Sequence, residues 1–145
     1  KDNLKEELQQ LKQNNKYIVL DVAGRDSAEF RSALLTADVL IIPTQPSQTD
    51  IEVLPFVLRL VNTAKQVNKN LKTFVVLNKA PTNNKSTEID AALELLQQVK
   101  SVKTLNTILR DRKQFRDAMI EGKSVLEMGS SKAKDELNEF LVEIL

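Results

Sequence analysis

Residues 37–47 read Ala-Asp-Val-Leu-Ile-Ile-Pro-Thr-Gln-Pro-Ser, a short apolar run that two prolines close. A continuous apolar run of this kind, rich in β-branched residues, is typical of a strand that is buried on both faces of a sheet. The run is expected to stop at Pro43, because proline has no N–H to donate to a neighbouring strand. The segment therefore predicts a strand at residues 38–42 in a helix-covered parallel sheet.

Similar apolar runs precede and follow this segment, at residues 17–20 and 73–77, and a weaker run lies at 102–109. Between them, apolar side chains recur at helical spacing. The predicted helices cover residues 2–14, 27–36, 50–68, 86–99, 110–121 and 131–145. Alternating strands and helices indicate a mostly parallel, doubly wound α/β sheet with helices on both faces. We expect a single domain spanning residues 1–145.

Particular residues are expected to start and end these helices. Ser27 and the pair Ser86-Thr87 are candidate N-caps, and Thr49 or Asp50 is the expected cap of the third helix. Pro55, about one turn into that helix, is expected to bend it or delay its start. Gly122 is expected to end the helix that begins near Arg110.

Composition excludes several kinds of chemistry. The 145 residues contain neither cysteine nor histidine, which removes disulfides, Cys/His zinc sites, thiol nucleophiles and histidine bases. The net charge is only +1, so overall charge indicates neither a nucleic-acid nor a membrane partner. No apolar run approaches the roughly 18 residues of a membrane span, and the polar first residues do not resemble a signal peptide. We therefore expect a cytoplasmic protein, and the Lys at position 1 predicts a piece of a longer chain.

Polar residues follow the first two predicted strands, where doubly wound sheets carry their binding sites. Ile18-Val19-Leu20-Asp21 fits the Walker B pattern, in which a carboxylate orients magnesium beside phosphates. Asp21 as a simple turn or capping residue remains an alternative. Gly24 has two interpretations: a loop that approaches a γ-phosphate, or a turn that needs positive φ. Pro43-Thr44-Gln45-Pro46 ends the second strand as a proline-rich turn.

Asn78-Lys79 ends the third predicted strand. A carboxamide can both donate to and accept from a base edge, which suits nucleotide recognition. Asn78 as a cap of the following turn is an equally open interpretation. Pro81 stands where a guanine reader would carry an acidic residue, so guanine is disfavoured.

Residues 100–123 form a basic segment with seven cations and three anions. Arg112 and Arg116 lie one helical turn apart, and with Arg110 and Lys113 they predict a ridge that faces DNA phosphates. The segment has no aromatic interleaving that suggests base stacking, so binding is expected to be to the DNA backbone, independent of sequence. A solvated helix face with local ion pairs to Asp111 and Asp117 is the alternative.

Taken together, the strand ends resemble the ParA/MinD family of deviant Walker ATPases, in particular its small ParF-type plasmid-partition members. The segments that carry the resemblance are 17–24, 37–47 with Asp50, and 76–79. Residues 108–127 are similar to the segment before the last helix in those proteins. The resemblance covers about residues 15–145.

The resemblance implies a partition ATPase that binds and hydrolyses MgATP, forms a homodimer or higher oligomer, and binds DNA non-specifically. It also implies a centromere-binding partner protein that stimulates hydrolysis, and a role in segregating plasmid or chromosomal DNA. Asp21 is then the Walker B carboxylate and magnesium ligand, and Gly24 belongs to the loop that senses the γ-phosphate. Pro43, Thr44, Gln45, Pro46 and Asn78 are expected near the adenosine.

One family motif has no counterpart here, the phosphate-binding loop Lys-Gly-Gly-x-Gly-Lys-Thr, since the only glycines are Gly24, Gly122 and Gly129. Phosphoryl transfer depends on electrostatic positioning by that loop, so we expect this chain alone to be inactive. The expected fold is a partial P-loop NTPase fold without the N-terminal strand and loop. A non-catalytic DNA- or partner-binding module of the same fold is the alternative. A MinD-like membrane role is disfavoured because residues 131–145 carry four anions against two cations.

Overall fold

A computed structural model of the chain describes residues 3–24, 26–83, 87–99 and 102–145. Its elements are α1 (Asn3–Asn14), α2 (Ala28–Thr36), β1 (Val39–Thr44), α3 (Gln48–Val67), β2 (Lys72–Ala80), α4 (Thr87–Gln97), β3 (Lys103–Arg110), α5 (Lys113–Ile120) and α6 (Lys132–Ile144). A short 3-10 turn at Val125–Glu127 precedes α6. The α/β class is confirmed, as are the six predicted helices and three of the four predicted strands.

The strands form one sheet in the order β1-β2-β3. β2 and β3 are parallel, with Phe74 opposite Lys103 and Ala80 opposite Arg110. Parallel neighbours need a crossover connection, and α4 lies in the segment that joins them. Five consecutive residues of β2, from Thr73 to Leu77, are buried, as expected for a central strand without hydrophobic alternation.

The predicted strand at residues 17–20 does not form. Tyr17 is 61% exposed and Val19 is 91% exposed. An apolar run becomes a strand only when a neighbouring backbone takes its hydrogen bonds, and the described residues provide no such neighbour for this run. The prediction of a first strand ending at Asp21 is therefore wrong.

The helix caps agree with the sequence in some places and differ in others. Ser27 caps α2, because its Oγ accepts the Phe30 N–H at 3.1 Å. α3 begins at Gln48, and Ser47 caps it instead of Thr49 or Asp50: its Oγ accepts the N–H of Asp50 at 3.2 Å. This upstream cap fixes the start of the helix before Pro55, so the proline lies in the helix interior and does not delay it. Gly122, at φ +65°, follows α5 as expected, whereas Ser86 lies outside the described residues.

The chain divides into two compact units, residues 1–40 with 55–72 and residues 41–54 with 73–145. The core of the first unit joins α2 to the later part of α3 and consists of Phe30, Leu34, Val61, Ala64 and Leu71. In the second unit, Phe140 and Ile144 of α6 pack on the sheet residues Phe74, Val76 and Leu105. A smaller cluster of Ala118, Val125 and Ala133 packs α5 against α6. No helix among the described residues is long and apolar enough to cross a membrane.

The middle of β3 carries a bulge. Between the register pairs Val75–Thr104 and Leu77–Ile108, β3 has three residues where β2 has one. Extra residues of this kind are left without ladder partners. The Glu143 carboxylate of α6 takes up the free groups: it accepts the backbone N–H groups of Asn106 at 2.9 Å and Thr107 at 3.0 Å, together with both of their side chains. The last turn of α6 therefore supplies the hydrogen-bond acceptor for the bulged amides of β3.

This contact makes stability depend on pH. Burial raises the pKa of Glu143, but the hydrogen bonds from Asn106 and Thr107 and the charge of Lys103 outweigh burial, and the pKa lies below its ordinary value of 4.5. The ionised form is therefore favoured in the folded state. Its stabilisation is complete above the unfolded pKa and disappears as the pH falls through the lower folded value.

We expect Glu143→Gln to lower the free energy of unfolding by about 1 kcal/mol at neutral pH. The difference from wild type should shrink below the ordinary glutamate pKa, because wild type then loses the same charge. Urea midpoints measured from neutral pH to about pH 3.5 test this. Glu139→Gln on the exposed side of α6 is the control and should change little. A Glu143→Gln deficit that does not vary with pH contradicts the assignment.

Candidate functional site

The proline-rich turn stands at the end of β1. The strand extends through Pro43 to Thr44, two residues beyond the predicted end. A proline is tolerated there because β1 has only one neighbour in the described sheet, so one side of its backbone needs no ladder partner. Pro43 and Gln45 are exposed, whereas Thr44 and Pro46 are buried. The Asp50 carboxylate fixes the turn by accepting the Gln45 N–H at 3.0 Å.

The end of β2 has an irregular backbone. Lys79 adopts φ +51°, and it is the only residue other than glycine with positive φ in the described part of the chain. The pairing with β3 shifts at the same point, since two residues of β2 lie between Leu77 and Ala80 where β3 has one. Asn78 is half-buried and Lys79 exposed. Backbone held in a sparsely populated region is common at ligand sites, which makes this position a candidate contact for a ligand.

Asp21 and Gly24 belong to the first unit, whereas the β1 turn and Asn78 belong to the second. Asp21 is exposed, and its carboxylate makes no hydrogen bond or ion pair with the described residues. A free carboxylate fits a magnesium ion, because proteins hold that ion through one or two carboxylates, with phosphates and waters completing the shell.

Gly24 does not occupy a turn that requires glycine. Its φ is not positive, and a Cβ at this position meets no described atom within 4 Å. The interpretation as a turn residue with positive φ is therefore wrong. The described backbone gives no reason for glycine at this position, and the interpretation as a loop that approaches a γ-phosphate stays a prediction.

The basic segment does not form one continuous helix. Arg110 ends β3, Arg112 is the N-cap residue of α5, and only Lys113 and Arg116 lie within the helix. The predicted helix therefore starts three residues too early, because the β3 pairing extends to Arg110. Lys100, which was counted in this segment, lies outside the described residues.

Arg110 and Arg112 converge on Glu136 of α6. Arg112 donates from Nε at 3.0 Å and from Nη2 at 2.7 Å to Glu136 Oε1. The Arg110 backbone N–H reaches Oε2 at 3.2 Å, and its Nε lies 3.7 Å from Oε1. Arg110 Nη1 also donates to the Pro81 carbonyl at 2.8 Å.

Lys113 and Arg116 have more exposed partners. Lys113 Nζ lies 2.7 Å from an Asp117 oxygen, and Arg116 pairs with Asp111. The two cationic side chains are 76% and 60% exposed. The described geometry thus shows local ion pairs in the segment while leaving these two side chains accessible to solvent.

Sequence reasoning missed two residues that organise this region, Glu136 and Glu143. The available signal was the excess of anions in residues 131–145, which was used only to judge membrane binding. An acidic helix that follows a basic segment also predicts ion pairs between the two, and Glu136 makes them.

The parallel strands, the crossover segment and the polar strand ends define part of a P-loop nucleoside triphosphatase fold. Residues 1–76, just over half of the chain, match a family model described as an AAA domain. The chain is also 28% identical over 135 residues to the maintenance of carboxysome distribution protein A of Halothiobacillus neapolitanus (strain ATCC 23641 / c2). That match covers 91% of this chain and 61% of the relative, so the chain spans about three-fifths of the relative's length. The chain belongs to this AAA-domain family of ParA/MinD-like P-loop ATPases, and the predicted family resemblance is confirmed.

Proposed function

We propose that this chain is part of a cytoplasmic ParA-type ATPase that, in complete form, binds and hydrolyses MgATP, dimerises and binds DNA non-specifically. Its role is to segregate plasmid or chromosomal DNA together with a centromere-binding partner protein. The irregular backbone at Asn78-Lys79 carries the proposal, because it lies at the carboxyl end of a central parallel strand, where such folds bind nucleotides. The family match supports the same assignment.

The proposed roles follow from the side chains available. The exposed carboxylate of Asp21 holds a magnesium ion or its water, and Gly24 lets the backbone approach the terminal phosphate. Pro43, Thr44, Gln45 and Pro46 lie beside the adenosine, where Gln45 offers an exposed amide. Bound magnesium supplies neutralisation of the phosphate charge.

Hydrolysis by protein expressed from its complete reading frame tests this function. Saturable, magnesium-dependent ATP hydrolysis that increases with DNA or with the partner protein is the expected result. The upstream codons are expected to encode a strand followed by a glycine-rich lysine loop. Absence of saturable MgATP binding contradicts the ATPase and favours the alternative, a non-catalytic DNA- or partner-binding module.

We expect Asn78→Ala to weaken ATP binding about tenfold, the effect of losing roughly 1.4 kcal/mol of hydrogen bonding. ATP should bind more tightly than GTP, since Pro81 replaces the acidic residue that a guanine site needs. Competition of both nucleotides against a fluorescent ATP analogue measures the two effects. Asn62→Ala, on an exposed position of α3, is the matched control. An unchanged ATP affinity in Asn78→Ala contradicts the role of Asn78, and equal affinities for ATP and GTP contradict the expectation that guanine is disfavoured.

A further inference from the structure

The four cations predicted to face DNA divide into two pairs with different surroundings. Arg110 and Arg112 are 20% and 17% exposed and share one carboxylate, Glu136, which is 13% exposed. Lys113 and Arg116 are 76% and 60% exposed and pair separately with Asp117 and Asp111. All four residues contribute equally to the net charge, but Lys113 and Arg116 are more accessible to an external phosphate than Arg110 and Arg112 are.

Glu136 links three parts of the second unit. It binds the guanidinium of Arg112, the guanidinium of Arg110 and the backbone N–H where β3 ends. Arg110 is further fixed by the carbonyl of Pro81. A DNA phosphate that took these arginines would leave the Glu136 carboxylate largely buried without its partners, which is strongly unfavourable. Replacement of Glu136 by a DNA phosphate as the partner of Arg110 and Arg112 is therefore energetically unfavourable.

The exposed pair behaves differently. Ion pairs between solvent-exposed side chains contribute little to stability, so a phosphate can replace Asp117 or Asp111 as the partner at small cost. Lys113 and Arg116 are three residues apart in α5 and so lie on the same helix face. The buried residue of α5, Ala118, lies on the opposite face, which packs toward α6.

We propose that DNA phosphates are contacted by Lys113 and Arg116, and that Glu136 is a positioning residue that withholds Arg110 and Arg112 from DNA by fixing them between β3 and α6. This inference rests on the proposed DNA-binding function. It assigns the non-specific contact to the exposed face of α5 and limits how many phosphates the basic segment can neutralise.

Two substitutions that each remove one positive charge test the division. The protein is expressed from its complete reading frame, and DNA affinity is measured with MgATP at several salt concentrations. Arg116→Gln should reduce the slope of log affinity against log salt by about one. Arg112→Gln should leave the slope unchanged and should instead lower the urea midpoint. Equal reductions of the slope by the two variants overturn the inference.

A second pair of variants tests the withholding directly. Glu136→Gln should make the slope steeper by about one to two, because Arg110 and Arg112 become available to phosphates. Glu139→Gln removes the same charge from an exposed position of α6 and should leave the slope unchanged. An unfolded variant cannot produce a steeper salt dependence of DNA binding. If Glu136→Gln does not fold, the comparison of Arg112→Gln with Arg116→Gln tests the inference by itself. A folded Glu136→Gln variant with the wild-type slope overturns the inference.

The result for wild type separates this inference from the proposed function. Wild-type protein that shows no salt-dependent DNA binding overturns the DNA-binding function and this inference with it. Wild-type binding that Arg116→Gln leaves unchanged overturns only the assignment to α5.

Discussion

Asp21→Asn is expected to lower kcat for ATP hydrolysis by about 100-fold or more in protein expressed from its complete reading frame. Asparagine keeps the size of the side chain but loses the charge that holds a magnesium ion or its water, so the loss should fall mainly on the chemical step. The exposed Asp21 carboxylate has no partner among the described residues, so the free energy of unfolding should change by less than about 0.5 kcal/mol. Steady-state kinetics at saturating MgATP and urea unfolding together measure the two effects.

Asp38→Asn is the matched control for this experiment. Asp38 is another exposed carboxylate of the first unit, and it lies immediately before β1. We expect the kcat of the Asp38→Asn variant to stay close to that of wild type. Wild-type kcat in Asp21→Asn contradicts the Walker B assignment and leaves Asp21 as a turn residue.

Leu77→Ala is expected to lower the free energy of unfolding by about 3 kcal/mol. Leu77 is 1% exposed in the central strand, and the neighbouring Val75 and Val76 are equally buried. The close-packed side chains around it therefore cannot relax enough to fill the cavity that alanine leaves. Urea unfolding of the protein from its complete reading frame measures the loss. Leu95→Ala on α4 removes the same atoms from a side chain that is 45% exposed and should cost clearly less. Equal losses in the two variants contradict the central position of β2.

Local sequence patterns predicted the helices well because a helix forms its hydrogen bonds within one segment. Strands depend on neighbours, and two runs illustrate the difference. Residues 39–42 and residues 17–20 are both continuous apolar runs, yet only the first has a strand beside it among the described residues. The run at 17–20 was mistaken for a strand because its composition carries no information about a partner.

The candidate site shows the same limit. Its residues were selected by their place after apolar runs, and the irregular backbone at Lys79 was not foreseen because a bulge depends on the neighbouring strand. The pairing of Arg112 with Glu136 joins positions 24 residues apart, which no local period reveals. The sequence shows the positive charge of the basic segment. It does not show which cations are paired with Glu136, because that depends on the position of α6.

The contact between Glu143 and β3 also constrains the order of events during synthesis. Asn106 precedes the carboxylate that accepts its N–H by 37 residues, so a ribosome adding roughly 5–20 residues per second needs about 2 to 7 seconds to supply it. During that interval water must satisfy the bulge amides, and the outer backbone of β3 is open to pairing with another nascent chain. Synthesis of α6, and not of the strands alone, therefore supplies the partner of the bulge amides of β3.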